Sequence, residues 1–246
     1  MSLRHTDPEI VFLLYQMTYD VHIMLGIKKI KYWADGGTML AIGRGHKGLI
    51  PWDDDVDIAI DQKNEQEIKN MESMLNNLGY NLVKMHFGYK ICYSNRPLVS
   101  NYNHSYPGLD IFLYKKEGDY YVLSKDYSRN RWPNSYYLIT DVEHLVKHKF
   151  GPFELYGLQN YDKYLSILYG DDWRQVAYKI YDHELEQPIN PIKIQIKLDD
   201  LQPIILIKNI DMNRIKEEYS CSCKTNFNGY IFLFLFIFCL VFLIYF

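Results

Sequence analysis

The sequence predicts an α+β fold, in which helices and strands are mixed along a single chain. The chain has 246 residues, 48% of them hydrophobic and 23% charged, so it is long enough to bury a sizeable core in one domain. An N-terminal segment carries apolar residues at helical spacing, whereas several later segments are short and rich in β-branched and aromatic residues. The sequence shows no internal repeat.

The first predicted element is an amphipathic helix over residues 7–25. Its apolar residues recur every three or four positions, and Asp7-Pro8 supplies a cap followed by a proline in the first turn. A short aromatic strand at residues 31–35 then turns through Gly36-Gly37-Thr38 into a compact apolar helix at residues 39–42. The pattern is therefore strand, tight turn and helix.

Residues 53–60 predict a second strand with one acidic face, because Asp and apolar residues alternate at its end. A polar helix is expected to follow. The remaining predicted elements are that helix at 62–78, strands at 90–93, 109–114 and 120–123, the last two joined as a hairpin across Glu117-Gly118, and a helix at 161–169 ending at Gly170.

The C-terminal part of the chain changes character after residue 185. Alternating Ile and Lys up to Leu198 fit either a small sheet or an extended spacer. Residues 230–246 contain no charge, and an apolar helix needs roughly 17–25 residues to span a membrane. We therefore predict a domain at 1–185, an appendage or juxtamembrane spacer at 186–229 and a transmembrane tail anchor at 230–246, with a buried core helix as the alternative for the last segment.

The net charge and the cysteine content argue against two classes of protein. A formal net charge of -3 argues against a protein that binds nucleic acid by broad phosphate neutralisation. Four cysteines are too few for a disulfide-stapled scaffold of this size.

The N-terminus lacks a secretory-signal pattern, and Arg214, Lys216 and Lys224 precede the apolar tail. We expect a single-pass membrane protein whose catalytic domain faces the cytosol.

The run Pro51-Trp52-Asp53-Asp54-Asp55-Val56-Asp57 is the densest unusual feature of the sequence. On a strand, Asp53, Asp55 and Asp57 would share a face with Cα atoms roughly 6.6 Å apart. Carboxylates held so close repel one another unless a cation neutralises them, and Mg²⁺ or Mn²⁺ suits carboxylate ligands. A solvated acidic loop is the alternative, whereas a calcium loop is excluded because Ile58 and Asn64 stand where it needs Gly and Glu.

Two further features could complete such a site. The Gly36-Gly37-Thr38 turn would offer backbone N–H groups and a helix N-terminus to a phosphate, and Arg44, His46 and Lys47 are possible charge contacts. Asp110 lies within an apolar strand, where an unpaired carboxylate is costly. A metal would explain Asp110, and so would a hydrogen bond or salt bridge.

The order and spacing of these motifs resemble the LicD family, which includes fukutin-type proteins. The resemblance is carried by Asp35-Gly36-Gly37-Thr38-Met39-Leu40, His46-Lys47-Gly48-Leu49-Ile50-Pro51-Trp52-Asp53-Asp54-Asp55-Val56-Asp57-Ile58, Leu109-Asp110-Ile111-Phe112 and Tyr169-Gly170-Asp171-Asp172-Trp173. It covers roughly residues 10–185. One departure is an extra residue between Ala41 and Gly48, which concerns the role of Arg44 but not the acidic site.

The resemblance implies a nucleotidyltransferase-type fold, with a mixed β-sheet flanked by helices. It also implies transfer of a phospho-alcohol, of the phosphocholine or ribitol-phosphate class, from a CDP-linked donor to a hydroxyl of a glycan or glycolipid, with release of CMP. The residues agree with this in offering an acidic metal site and no nucleophilic cysteine or serine arrangement.

On the same resemblance, the site residues divide into metal ligands and phosphate contacts. Asp55 and Asp57 would bind Mg²⁺ or Mn²⁺, Asp110 would complete the site and accept the acceptor proton, and Asp53 would assist. The remaining assignments are Gly36, Gly37 and Thr38 for the donor phosphates, Lys47 in preference to Arg44 for a charge contact, Tyr169–Trp173 as a structural or pocket-wall segment, and Asp172 as a weaker candidate.

Two other functions stay open at this point. One is a nucleotidyltransferase that attaches a nucleotide to a protein, small molecule or RNA and releases pyrophosphate. The other is a catalytically inactive, membrane-tethered binding module, against which the intact Asp55, Asp57 and Asp110 argue.

Overall fold

The computed structural model describes residues 4–204 and 206–215. These residues form helices and strands mixed along the chain, as an α+β fold requires. The helices are α1 Pro8–Ile27, α2 Gly36–Arg44, α3 Glu65–Asn70, α4 Glu72–Asn77, α5 Asp126–Arg131, α6 Ile139–Glu143 and α7 Asp162–Tyr169. The strands are β1 Tyr32–Ala34, β2 Val56–Asp61, β3 Tyr80–Lys84, β4 Gly88–Tyr93, β5 Gly108–Glu117, β6 Tyr120–Leu123, β7 Tyr136–Leu138, β8 Leu145–Phe150, β9 Phe153–Leu158, β10 Val176–Asp182 and β11 Gln187–Gln195.

A mixed sheet of seven strands forms the centre of the domain. Five strands follow the order β1-β2-β5-β4-β3, while β6 pairs with both β5 and β7. The β2–β5 pair is parallel and the other pairs are antiparallel. In the parallel pair Asp57 lies opposite Asp110, and in the β4–β5 pair Lys90 lies opposite the same Asp110. The sheet therefore sets three ionisable side chains in one row across adjacent strands.

Helix α1 packs against strand β5 of the sheet, and both its start and its apolar spacing agree with the prediction. Asp7 caps it by accepting a hydrogen bond from the Glu9 N–H at 2.8 Å, and Pro8 occupies its first turn. Leu14, Met17 and other apolar residues of the helix are almost completely buried. Each such side chain contributes roughly 1.5–3 kcal/mol by leaving water.

The strand predicted for residues 53–60 begins later, at Val56, which is a correction. Its ladder starts where Val56 pairs with Leu109, and the N–H of Asp53 instead bonds to the Ile50 carbonyl oxygen at 3.0 Å. Asp53 and Asp55 consequently lie in the loop before β2 rather than on its face. Strand alternation therefore does not bring them next to Asp57; the loop does.

Other predicted elements are confirmed with changes of detail. Residues 36–38 form the first turn of α2, so this helix begins three residues earlier than predicted; the 117–118 hairpin joins β5 to β6, and α7 ends at Gly170. The single helix predicted at 62–78 is divided into a 3₁₀ turn, Gln62–Asn64, followed by α3 and α4. Strands β3, β7, β8, β9 and β10 were not predicted. Beyond residue 185, β11 pairs with β10, so the small-sheet alternative holds for that segment.

The predicted tail anchor at 230–246 and most of the predicted spacer lie outside the described residues. Among the described residues, α1 alone is long and apolar enough to cross a membrane, and 67% of an 18-residue apolar stretch of it is buried inside the structure, as in a core helix. The described chain forms two units, which divide after Ile210. The predicted domain end at residue 185 falls in the turn between β10 and β11, and that boundary stays a prediction.

Gly88 at the start of β4 gives a sharp test of the sheet. A Cβ atom there would lie 2.1 Å from the carbonyl oxygen of Ile111 on β5, a backbone atom that cannot move aside. We expect Gly88→Ala to lower the free energy of unfolding by about 1–3 kcal/mol or more. Gly26→Ala is the control, because a Cβ there meets nothing within 4 Å and Ala favours the helix by up to about 1 kcal/mol. Urea denaturation of both variants makes the comparison, and an equal stability change at the two positions would contradict the β4–β5 packing.

Candidate functional site

Three carboxylates meet at the start of the parallel β2–β5 pair. Asp57 and Asp110 face each other across the two strands, and Asp55 reaches them from the loop before β2. Carboxylate oxygens of all three lie within 4.8 Å of one another. Asp55 is only 8% exposed and Asp110 only 7%, so little water can screen their repulsion. The structure thus brings together the three residues predicted to be catalytic.

A bound cation would reduce the repulsion among these carboxylates. Burial raises the pKa of Asp57 well above its ordinary value, and the carboxylates of Asp55 and Asp110 raise it further. Burial also raises the pKa of Asp53 well above its ordinary value, and the carboxylates of Asp55 and Asp54 raise it further. Oxygen-rich, crowded carboxylates of this kind are the ligands that Mg²⁺ and Mn²⁺ use in proteins. The donor set therefore fits the divalent ion predicted from the sequence.

The glycine turn packs directly against these carboxylates. The N–H of Gly37 donates to Oδ2 of Asp57 at 3.1 Å, and the backbone N–H of Asp57 donates to the Thr38 hydroxyl at 2.8 Å. A Cβ on Gly36 would lie 2.6 Å from Asp57 Oδ2, and one on Gly37 would lie 2.9 Å from Asp53 Oδ2. A side chain at either position would displace an acidic side chain, and the φ of 43° at Gly36 also favours glycine there.

Asp35 organises this turn in a way that the sequence did not predict. It is 3% exposed and caps α2 by accepting a hydrogen bond from the Gly36 N–H at 2.7 Å. The hydroxyl groups of Tyr114 and Tyr164 donate to it at 3.0 and 2.6 Å, and the Tyr137 hydroxyl donates to it as well. Burial raises the pKa of Asp35, whereas these hydroxyl hydrogen bonds lower it. Four donors on one carboxylate fix the N-terminus of α2.

Two of the predicted basic contacts, Arg44 and Lys47, are engaged with the backbone of other segments. Arg44 donates to the carbonyl oxygens of Trp173 and Val176 at 2.7 and 2.6 Å, so its guanidinium holds the entry to β10. Burial lowers the pKa of Arg44 to about 10. Lys47 is exposed, with a positive φ of 57°, and its carbonyl oxygen accepts from the Gly151 N–H at 2.7 Å. Their predicted phosphate contacts stay predictions.

The segment after α7 supports the site from one side. Trp173 is buried, and Asp172 lies 4.0 Å from the Lys193 ammonium on β11, away from the acidic group. Burial and the carboxylates of Asp57 and Asp53 raise the pKa of Tyr169 well above its ordinary value. Tyr169 therefore lies close enough to the acidic residues to feel their charge, whereas Trp173 belongs to the core. The pocket-wall role of Tyr169 stays a prediction.

Lys90 is a site residue that sequence reasoning missed. Its Nζ lies 2.9 Å from Asp110 Oδ1 and 3.7 Å from Glu186 Oε1, and the residue is 5% exposed. A Cβ on Gly108 would lie 3.1 Å from the Lys90 side chain, so this glycine leaves room for it. These carboxylates raise the pKa of Lys90 although burial opposes them. The available signal was one lysine in the middle of an apolar strand.

The turn between β10 and β11 contributes two more ionisable groups to the site, His183 and Glu186. Nδ1 of His183 lies 3.4 Å from Asp55 Oδ2, and Glu186 approaches Lys90. Asp54, the remaining acid of the run, is buried and accepts a hydrogen bond from the Tyr106 hydroxyl at 2.9 Å. Burial lowers the pKa of His183, but the surrounding Asp carboxylates raise it more. No local pattern pointed to His183, because a distant hairpin supplies it.

Comparison with known proteins places the chain among a family of transferase domains. The family model described as LicD/FKTN/FKRP, nucleotidyltransferase domain, matches residues 29–156. The uncharacterised protein RP689 of Rickettsia prowazekii is 31% identical over 175 residues, which cover 71% of this chain and 60% of that protein. The uncharacterised protein RT0683 of Rickettsia typhi is 35% identical over 144 residues, covering 58% and 41%. The chain thus spans about two-fifths to three-fifths of the length of these relatives.

Two solved structures are also similar in part. One is the lincosamide antibiotic adenylyltransferase LnuA bound to lincomycin, with a TM-score of 0.36 and 15% identity over 59% of this chain and 79% of that one. The other is ANT(2")-Ia in complex with adenylyl-2"-tobramycin, with a TM-score of 0.37 and 12% identity over 66% and 80%. Both TM-scores lie below 0.5.

The buried Lys90–Asp110 pair predicts a large loss of stability when its cation is removed. We expect Lys90→Met to lower the free energy of unfolding in EDTA by about 3–5 kcal/mol, because Asp110 keeps a buried charge without its partner. The control is Lys84→Met on β3, whose ammonium pairs with Glu65 at 2.5 Å but is 49% exposed; it should cost less than about 1 kcal/mol. Chemical denaturation measures both, and a small, equal loss would show that the buried pair is not formed.

Proposed function

We propose that this protein, which belongs to the LicD family, is a metal-dependent transferase of substituted phosphate groups. The family domain suggests a transferase of the phosphotransferase type. The finer proposal is transfer of a phospho-alcohol, of the phosphocholine or ribitol-phosphate class, from a CDP-linked donor to a hydroxyl of a glycan or glycolipid, with release of CMP. The observation that carries it is the convergence of Asp55, Asp57 and Asp110 within 4.8 Å at one end of β2 and β5.

In this proposal the three carboxylates hold the divalent ion, with Asp53 next to them. A bound Mg²⁺ or Mn²⁺ would supply charge neutralisation for the phosphate oxygens. Transfer of a phosphoryl group needs such neutralisation and accurate positioning more than a covalent intermediate. The burial of Asp55 and Asp110 supports this role, because excluding water strengthens every electrostatic interaction inside the site.

Asp110 also suits the part of general base. The acceptor hydroxyl oxygen forms the new bond to phosphorus, the bond between phosphorus and the CMP oxygen breaks, and the hydroxyl proton passes to Asp110. Lys90 lies 2.9 Å from Oδ1 of Asp110 and would hold this carboxylate in place while it accepts the proton. Burial raises the pKa of Asp110, although Lys90 opposes the rise, and a raised pKa makes a carboxylate a better base near neutral pH.

The donor phosphates are assigned to the Gly36-Gly37-Thr38 turn at the N-terminus of α2. A helix N-terminus attracts negative charge, and this one lies beside Asp57. In the structure the Gly36 N–H donates to Asp35 and the Gly37 N–H donates to Asp57. These two N–H groups therefore hold the acidic side chains in position. Lys47 remains the proposed charge contact to the donor, whereas Arg44 acts by holding the entry to β10.

A nucleotidyltransferase is the second candidate, since the matching family model carries that description. It would attach a nucleotide to a protein, small molecule or RNA and release pyrophosphate, and the same carboxylates would serve it. Product identity separates the two reactions, because the first releases CMP. An inactive binding module would release neither product and would fail to bind Mn²⁺.

Substitution of the acidic residues tests the proposal directly. We expect Asp55→Asn, Asp57→Asn and Asp110→Asn to lower metal-dependent CMP release from a panel of CDP-alcohols by at least about 100-fold, since each removes a charge from the site. Asp61→Asn is the matched control on the same strand, because Asp61 accepts from the Tyr121 hydroxyl at 3.0 Å and lies outside the acidic group. Full-length protein in detergent and mass spectrometry of the nucleotide products give the measurement. Full turnover in Asp55→Asn would refute the metal role.

We further propose that residues 230–246 anchor the protein in a membrane with the catalytic domain in the cytosol. Removing these residues should release the protein into the soluble fraction, because the segment is uncharged and almost wholly apolar. In sealed vesicles with their cytosolic face outward, added protease should degrade the domain. Membrane retention of the truncated chain, or protection of the domain from protease, would contradict this topology.

A further inference from the structure

Glu186 lies in the turn between β10 and β11, with a backbone conformation that glutamate rarely adopts. Its φ is 50°, in the left-handed region that glycine reaches at lower cost than a residue with a side chain. The side chain of Glu186 is nevertheless only 12% exposed. Contacts of this side chain therefore have to offset the cost of the backbone conformation.

Both carboxylate oxygens of Glu186 have partners. Oε1 lies 3.4 Å from Nε2 of His104 and 3.7 Å from Nζ of Lys90. Oε2 accepts a hydrogen bond from the Tyr181 hydroxyl at 3.1 Å, and the backbone carbonyl oxygen of Glu186 accepts one from the Tyr102 hydroxyl at 3.4 Å. Of these partners only Tyr181 belongs to the same hairpin, so Glu186 ties the hairpin to strand β4 and to the loop that follows it.

Lys90 stands between the carboxylates of Glu186 and Asp110. Its Nζ is 2.9 Å from Oδ1 of Asp110 and 3.7 Å from Oε1 of Glu186, and all three side chains are largely buried, so water screens these attractions little. An ammonium group carries three N–H donors on a flexible stem, so one carboxylate alone would leave its position open. The second carboxylate restricts the ammonium group to the space between the two. The hairpin thereby fixes how Lys90 meets Asp110.

We propose that Glu186 is a positioning residue for Asp110 and that it acts through Lys90. The acceptor hydroxyl has to meet Asp110 in one geometry, and a displacement of about 1 Å can cost about 100-fold in rate. The catalytic unit therefore extends through the β10–β11 hairpin, although the family match ends at residue 156. The role of Asp110 as general base rests on the proposed function, whereas the link from Glu186 through Lys90 to Asp110 needs no substrate.

Steady-state kinetics of Glu186→Gln in the full-length protein tests the positioning role. The variant keeps the size of the side chain but removes its charge, so we expect kcat for metal-dependent CMP release to fall about 10- to 100-fold. KM for the CDP-alcohol should change less than about twofold, because the proposed donor turn at α2 is untouched. Glu184→Gln, at an exposed glutamate of the same turn, is the control and should change neither constant. An unchanged kcat in Glu186→Gln, or a rise in KM alone, would overturn the positioning role.

A double-mutant cycle in urea and EDTA separates this inference from the proposed function. We expect Glu186→Gln and Lys90→Met each to lower the urea midpoint of the full-length protein. The double variant should lose less than the sum of the two losses, because both substitutions remove the same interaction. Additive losses would overturn the link between Glu186 and Lys90 at any level of activity. Absence of CMP release from the wild-type protein would count against the proposed reaction, and the cycle would still decide whether Glu186 holds Lys90.

Discussion

The parallel pairing of β2 with β5 is the constraint on which the rest of the site depends. It sets Asp57 opposite Asp110, and the antiparallel β4–β5 pair sets Lys90 opposite the same Asp110. A shift of one residue in either register would turn one of these side chains to the other face of the sheet. The hydrophobic residues that alternate with them, such as Ile58 and Ile111, are buried and so fix the register. Core packing therefore determines the spacing of the charges.

The buried carboxylates repel one another in this arrangement, and the surrounding groups offset part of that repulsion. Lys90 neutralises part of the charge from one side, while the Gly37 N–H approaches Asp57 from the other. Asp35, bound by three tyrosine hydroxyls, keeps the glycine turn in position. The β10–β11 turn adds His183 on the third side. A divalent ion would complete the compensation that these groups provide only in part.

The sequence was sufficient for the acidic motif but not for its surroundings. Asp55, Asp57 and Asp110 could be predicted because carboxylates within apolar segments are costly and because their order resembles a known family. The start of β2 at Val56 could not, since it depends on where β5 begins as its partner. Lys90 and His183 were missed for a related reason: their partners come from elements far away in the chain, and no local spacing encodes such contacts.

The most direct test of the central claim is an anomalous difference map from crystals of the full-length protein soaked in MnCl₂. The structure predicts a peak bounded by carboxylate oxygens of Asp55, Asp57 and Asp110, whose oxygens already lie within 4.8 Å of one another. Ordered carboxylates without such a peak, with Asp110 bound to Lys90 alone, would contradict the claim that this group is a metal centre.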